Sequence, residues 1–230
     1  MSSIQLVVFD IAGTTVQDKG DVANAFMTAF RDFGIEVPLE EVKKVMGFRK
    51  IDAIAILLEK FAPALKEDDV FIDRVHSRFT DLMIAFYRDD EELRPFPNAE
   101  KIFGALKKKG VKIALNTGFT RPITDTILHR LRWDDRQKDI DRVICSDEVP
   151  QGRPYPDMIR ALAEELHISS PSEVAKVGDT EVDVEEGRNA GCGLVVSVTT
   201  GAYTRAQLEG YGPDAIIDDL QELIPLIEKI

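Results

Sequence analysis

An apolar run, Leu6-Val7-Val8-Phe9, ends at a single carboxylate, Asp10, and runs into the tight turn Ala12-Gly13-Thr14-Thr15. The run is of strand type, and in an open α/β sheet ligands bind at the carboxyl ends of strands. Backbone N–H groups and hydroxyls of such a turn, those of Gly13 and Thr14 included, are suited to hold an anion. A carboxylate facing an anion needs a cation between the two, or must itself become the nucleophile, or both. Three more places put chemistry behind apolar segments: Thr117-Gly118 after Ile113-Ala114-Leu115-Asn116, Arg153 in the segment 151–156, and Asp179 in Val177-Gly178-Asp179-Thr180, with Asp183 close behind. Thr117 can donate to a phosphoryl oxygen, and Arg153 can fork onto a phosphate. Asp10 and Asp179 offer the hard oxygens that Mg²⁺ takes while keeping waters or a phosphate in its shell. Asp183 is placed behind them, orienting the site.

These side chains meet only if their strands lie parallel. Beyond residue 93 helix and strand patterns alternate. Helices are predicted over 99–109, 122–131, 155–166 and 182–190, and strands over 111–115, 142–145, 174–177, 194–198 and 215–217. A last helix is predicted over 220–230, interrupted at Pro225. Such alternation predicts an α/β fold, a Rossmann-like parallel-sheet core with helices on both faces. All four chemical segments are then expected at strand ends on one edge.

Residues 18–90 read differently. Val22, Ala25, Phe26, Ala29, Phe30 and Phe33 follow one helical face, and Val42, Val45 and Met46 continue such a face to Gly47. Ile51, Ile54, Leu58 and Phe61 mark another helix, and Val75, Phe79, Leu82, Met83 and Phe86 a third. These stripes read as the inside of a small bundle. The expectation is a helical cap domain, 18–90, inserted into a core made of 1–17 and 91–230.

The chain has 230 residues, 41 acidic against 29 basic, for a net charge of -12. No basic stripe argues for nucleic acid. No segment reaches the roughly 20 apolar residues of a membrane span, and no signal-type start is visible. Cys145 and Cys192 share no metal spacing and read as buried reduced thiols, so a cytoplasmic location is expected. His76, His129 and His167 form no common motif and read as surface or packing residues, and Trp133 as packing near a helix end.

The order of the four segments resembles the haloacid dehalogenase superfamily across nearly the whole core. Asp10-Ile11-Ala12-Gly13-Thr14-Thr15, Gly152-Arg153-Pro154-Tyr155-Pro156 and Val177-Gly178-Asp179-Thr180 with Glu186-Gly187-Arg188-Asn189-Ala190-Gly191 are similar to the phosphonoacetaldehyde hydrolase family within it. Met46-Gly47-Phe48-Arg49-Lys50-Ile51-Asp52 resembles the cap segment bearing that family's Schiff-base lysine, and Lys50 falls on it. The resemblance implies Asp10 as nucleophile, Lys50, Thr117 and Arg153 as further catalytic residues, and Gly13, Thr14, Gly118 and Met46 as substrate contacts. It also implies Mg²⁺ on Asp10, the Ala12 carbonyl and Asp179, and a homodimer through the cap. Most phosphatases of the superfamily carry a second Asp where this chain has Ala12, as acid for a leaving alcohol. A phosphonate has a carbon leaving group. An imine between a lysine and the neighbouring aldehyde turns that carbon into a departing enamine, and the acid is no longer needed. Three expected helpers differ here: Ala53 stands for a His, Phe119 for a Tyr, and Lys19-Gly20 lie where a Cys is expected.

The leading expectation is therefore a Mg²⁺-dependent hydrolase of a small phosphonate, phosphonoacetaldehyde first. One rival is a phosphomonoesterase of the same superfamily in which Lys50 only binds substrate. Another is a phosphate-binding module without turnover.

Overall fold

A computed structural model of the chain describes residues 4–134 and 139–229. Six parallel strands form one sheet in the order β3-β2-β1-β4-β5-β6: β1 (Leu6–Asp10), β2 (Lys112–Thr117), β3 (Arg142–Cys145), β4 (Val174–Gly178), β5 (Leu194–Val198) and β6 (Ala215–Ile217). Asp10 pairs with Asn116 and Phe9 with Val177. Thr117 and Asp179 therefore lie just past the level of Asp10, at the carboxyl edge of the three central strands. Arg153 is the exception among the expected strand-end groups. It sits well beyond the end of β3, and the loop that follows carries it back to this edge.

Alternating side chains of β1 face opposite layers. Leu6 and Val8 pack against Met158, Ile159 and Leu162 of α7 (Asp157–Glu165) and Val184 of α8 (Glu181–Ala190). Val7 and Phe9 face Ile102, Phe103 and Leu106 of α5 (Ala99–Lys108) and Ile123 and Ile127 of α6 (Arg121–Leu131). Each of these strand side chains is fully buried, and such burial contributes roughly 1.5–3 kcal/mol per residue.

Between β1 and α5 the chain makes α1 (Asp21–Arg31), α2 (Leu39–Lys43), α3 (Lys50–Phe61) and α4 (Asp69–Asp89), none of which adds a strand to the sheet. The apolar stripes of these helices point inward. Phe26 and Phe79 stack at 4.4 Å, and Phe30, Ile54, Leu58 and Met83 are buried around them. This cluster runs without a break into the sheet face of Phe9, through Phe119 and Tyr87.

Several elements differ from the sequence expectation. The helix predicted from 155 starts at Asp157, because Pro154 and Pro156 hold the preceding residues outside it. The last helix is short, α10 (Leu223–Ile227), with Pro225 in its first turn, where a missing N–H costs nothing, and a 3₁₀ turn (Leu220–Glu222) precedes it. A helix not expected, α9 (Arg205–Tyr211), buries only Leu208. Cys145 and Cys192 are both buried and unpaired, with thiols pushed up to about 12, chiefly by burial. Trp133 is buried just past α6, its Nε1 donating to Glu100 at 3.0 Å, while His129 and His167 are exposed and His76 is half-buried. Among the described residues no helix is long and apolar enough to cross a membrane.

Candidate active site

Asp10 ends β1 beneath a buried guanidinium. Arg153 Nη1 lies 2.6 Å from Asp10 Oδ1 and 3.0 Å from Asp183 Oδ1. Its Nε donates to Glu186 Oε2 at 3.1 Å, and its Nη2 donates to the Asn116 carbonyl at 2.7 Å and to Asn116 Oδ1 at 2.9 Å. Arg153 is only 1 % exposed, so its donors serve the protein first. The expected fork onto phosphate is thus largely a clamp on the carboxylate of Asp10. Burial pushes the Asp10 carboxyl up, Arg153 draws it back in part, and the charge of Asp183 adds to the rise.

A second buried cation, Lys176 in the middle of β4, is absent from the sequence reading. Its Nζ donates to Asn116 Oδ1 at 2.7 Å and pairs with Asp183 Oδ1 at 2.9 Å and Glu186 Oε2 at 3.3 Å. A lysine inside the otherwise apolar run Val174-Ala175-Lys176-Val177 was the available signal, since a buried lysine needs a carboxylate partner. Asp183 lies behind the site as expected. It also accepts from Thr180 N at 3.2 Å and Thr180 Oγ1 at 2.5 Å, which caps α8. Burial pushes Asp183 up, but Arg153 and Lys176 outweigh it and hold its carboxyl below the usual range.

The turn after β1 corrects one expectation. Gly13 N–H donates to the Val16 carbonyl, and the N–H groups of Thr14, Thr15 and Val16 all donate to the Ile11 carbonyl. Thr15 Oγ1 donates to the Asp10 carbonyl at 2.9 Å. The turn closes on itself, so Gly13 and Thr14 present no free N–H to a substrate anion. They serve Asp179 instead. Thr14 Oγ1 donates to Asp179 Oδ1 at 3.0 Å, and Ala202 N–H to Asp179 Oδ2 at 2.7 Å. Gly13 has φ +89°, and a Cβ there would stand 2.6 Å from Asp179 Oδ2. Only glycine lets the turn pass so close.

Lys50 reaches this edge from the first turn of α3. It is 4 % exposed, its Nζ donates to the Phe48 carbonyl at 3.1 Å, and it stands 5.1 Å from the Phe119 ring centroid and 5.8 Å from that of Phe26. Burial lowers its ammonium to about 8, with Asp10 offsetting part of the fall and Arg153 adding to it. Residues 46–50 sit on the core. A Cβ on Gly118 would lie 2.4 Å from the Phe48 oxygen and 2.8 Å from the Gly47 oxygen, and Arg49 Nη1 donates to the Pro150 carbonyl at 3.1 Å.

Asp10, Ala12, Met46, Lys50, Thr117, Gly118, Arg153 and Asp179 thus line one cavity of about 20 Å³, together with Asp18, which the sequence reading did not single out. That volume holds about one water. Thr117 Oγ1 accepts from Phe119 N–H at 3.1 Å, which leaves its own hydrogen for a ligand.

The donor set fits Mg²⁺. Asp10 and Asp179 are buried carboxylates, and the turn's backbone bonds do not use the Ala12 carbonyl. The buried charged groups are four carboxylates (Asp10, Asp179, Asp183, Glu186) against three cations (Lys50, Arg153, Lys176). Asp179 is the carboxylate left without a cation within ion-pair distance among the described residues. Burial, then the charges of Asp10 and Asp183, push its carboxyl well above the ordinary range. No group of three His, Cys, Asp or Glu that could cage a metal occurs among the described residues. Mg²⁺ does not need one, since it is commonly held by one or two carboxylates with waters and phosphate completing its octahedron.

A nucleophile-type carboxylate at a parallel strand end, an oxygen donor set and a lysine lowered over it define a hydrolase class of site. Residues 4–191 match the haloacid dehalogenase-like hydrolase family, and the chain belongs to it. It is 34% identical to the phosphonoacetaldehyde hydrolase of Syntrophobacter fumaroxidans over 241 residues, covering 98% of this chain and 83% of the relative. In structure it is similar to a phosphonoacetaldehyde hydrolase-like protein from Oleispira antarctica, with a TM-score of 0.84, 24% identity, and 99% and 92% of the two chains covered. A protein from Lactobacillus delbrueckii described as a phosphoglycolate phosphatase by assignment shares the fold at a TM-score of 0.77 and 20% identity, with 97% and 98% covered.

Proposed function

We propose that this hydrolase cleaves the carbon–phosphorus bond of a small phosphonate bearing a neighbouring aldehyde, phosphonoacetaldehyde being the first candidate. The observation that carries the reading is Lys50, buried in the same cavity as Asp10 with its ammonium lowered to about 8. An ordinary lysine is almost wholly protonated near neutral pH and cannot attack a carbonyl. One lowered this far is a nucleophile in a useful fraction of molecules.

Asp10, Asp179 and the Ala12 carbonyl are the groups that would hold Mg²⁺. Bound there, the ion would supply positive charge for the phosphoryl oxygens, so that the Asp10 carboxylate could approach an anionic substrate. Lys50 attacks the aldehyde carbon and, after loss of water, holds it as an iminium. Asp10, held by Arg153, attacks phosphorus, and the carbon–phosphorus bonding pair passes to the iminium, giving an enamine. Thr117 donates to a phosphoryl oxygen. Water then cleaves the aspartyl phosphate, and the enamine takes a proton on carbon and is hydrolysed to acetaldehyde. Ala12 is compatible with this route, since no alkoxide leaves.

Residues 18–90 act in this reading as the cap that closes over the substrate. The cavity of about 20 Å³ is too small for a phosphonate, so the 46–50 segment must lift to admit one. A second reading, a phosphomonoesterase in which Lys50 only binds the anion, is favoured by Phe119 and Ala53, which offer no proton donor beside Lys50. Lys50→Arg separates the two, because Arg keeps the charge but forms no imine. The first reading expects loss of phosphonoacetaldehyde cleavage in Lys50→Arg and a borohydride-trapped adduct on Lys50 in the parent. Retained activity in the variant, with no adduct in the parent, establishes the second.

A further inference from the structure

Imine formation asks for more than a neutral amine. The carbinolamine formed first must lose its hydroxyl, and hydroxide is a poor leaving group unless a proton reaches it. Phe119 and Ala53 supply none. Of the titratable side chains lining the cavity, Asp10, Asp179, Lys50 and Arg153 are already engaged, and Asp18 is the one left. Asp18 Oδ1 accepts from the N–H groups of Gly20 at 3.0 Å, Asp21 at 2.8 Å and Val22 at 3.4 Å, at the start of α1. Its Oδ2 has no hydrogen-bond partner among the described residues. The side chain stands between the closed cavity and an adjoining cleft of about 370 Å³, with Met46 and Ala202 in the same wall.

We propose that Asp18 is the proton-transfer residue of the Lys50 imine step, its Oδ1 fixed by the helix and its Oδ2 facing the reacting carbon. The inference rests on the Lys50 reading above. Lys50 nitrogen bonds to the aldehyde carbon, and the proton it sheds goes to the former carbonyl oxygen. Asp18, as the acid, then protonates that hydroxyl. The carbon–oxygen bond breaks, water leaves, the nitrogen lone pair closes the iminium, and Asp18 becomes a carboxylate. When water later adds to the product iminium, Asp18 takes a proton from it, so each turnover leaves the residue as it began. Its charge also stabilises the iminium between these steps.

The surroundings suit both forms. Burial pushes the Asp18 carboxyl up, the N–H groups of Asp21, Val22 and Gly20 draw it down, and the charge of Asp21 adds to the rise. The Asp18 charge acts on the Lys50 ammonium of α3 and on the Tyr87 hydroxyl of α4, raising both.

The test uses Asp18→Asn, whose amide oxygen still caps α1. Parent and variant are mixed with phosphonoacetaldehyde, quenched with borohydride over a time course, and the Lys50 adduct is measured by mass spectrometry. The expected result is an adduct in the parent and accumulation slowed at least about 100-fold in the variant, at an unchanged melting temperature. The pH profile adds a readout that a structural role would not move: the parent rate should fall as Asp18 loses its proton, and the variant should lack that limb. Equal rates and equal profiles overturn the role of Asp18 and leave the Lys50 reading standing. No adduct in the parent overturns both. Should Asp18→Asn fail to fold, Asp18→Ser retains a capping oxygen and carries the same comparison.

Discussion

Lys50 Nζ and the Phe119 ring centroid lie 5.1 Å apart across the seam between α3 and the loop after β2. The ring replaces water around the ammonium, and the amine sits beside Asp10 with its proton loosened to about 8. This contact joins the two parts of the proposed chemistry, imine and phosphoryl transfer, in one cavity.

Lys50 makes a pH prediction with a definite sign. Its ammonium lies at about 8 in the folded chain against an ordinary value of 10.5, so between these limits the unfolded chain binds more protons. Stability then rises with pH across that window, and below about 8 the residue costs the fold. Lys50→Met should raise stability at pH 7 by on the order of 3 kcal/mol. Urea unfolding at pH 7 and near pH 10.5 checks it: the advantage of the variant must shrink at the higher pH. In Asp18→Asn, which lacks the opposing limb of the Asp18 proton, the rate of adduct formation on Lys50 should correspondingly climb toward pH 8.

Asp10→Asn should lower phosphate release by more than about 10,000-fold while the melting temperature moves little. The amide is nearly isosteric, and Arg153 keeps Asp183 and Glu186 as partners. Residual turnover near the parent level would remove Asp10 as the nucleophile.

Asp179→Ala should raise the Mg²⁺ concentration for half-maximal activity at least about 10-fold. Chelation should silence the parent, and restored Mg²⁺ should recover it. Activity indifferent to chelator would end the metal assignment.

Gly118→Ala probes the closed seam. The new Cβ would lie 2.4 Å from the Phe48 oxygen, a backbone atom with little room to give. Overpacking of this kind costs about 1–3 kcal/mol. It falls on the seating of residues 46–50, so kcat/KM should drop about 10-fold with a smaller change in thermal stability.

The sheet and its chemical edge were legible because β1, β2 and β4 are short apolar runs that each stop at a polar group: Asp10, Asn116-Thr117 and Gly178-Asp179. The helical stripes of 18–90 were legible from spacing alone. What stayed hidden depended on where hydrogen bonds go. Nothing in Gly13-Thr14 says that the turn closes on Ile11 and Val16 and lends its hydroxyl to Asp179. Helix α9 buries a single Leu208 and has no stripe to read, although Thr204 and Gln207 make a capping box that signals its start. Nothing in the sequence marks Asp18, and only the fold puts it on the cavity wall with Lys50.

The central claim is carbon–phosphorus cleavage, and its most direct measurement is the product pair. The parent enzyme with Mg²⁺ and phosphonoacetaldehyde is expected to release acetaldehyde and phosphate in equal amounts, with turnover exceeding that on small phosphate monoesters. Phosphate from the monoesters, with no acetaldehyde from the phosphonate, would contradict it.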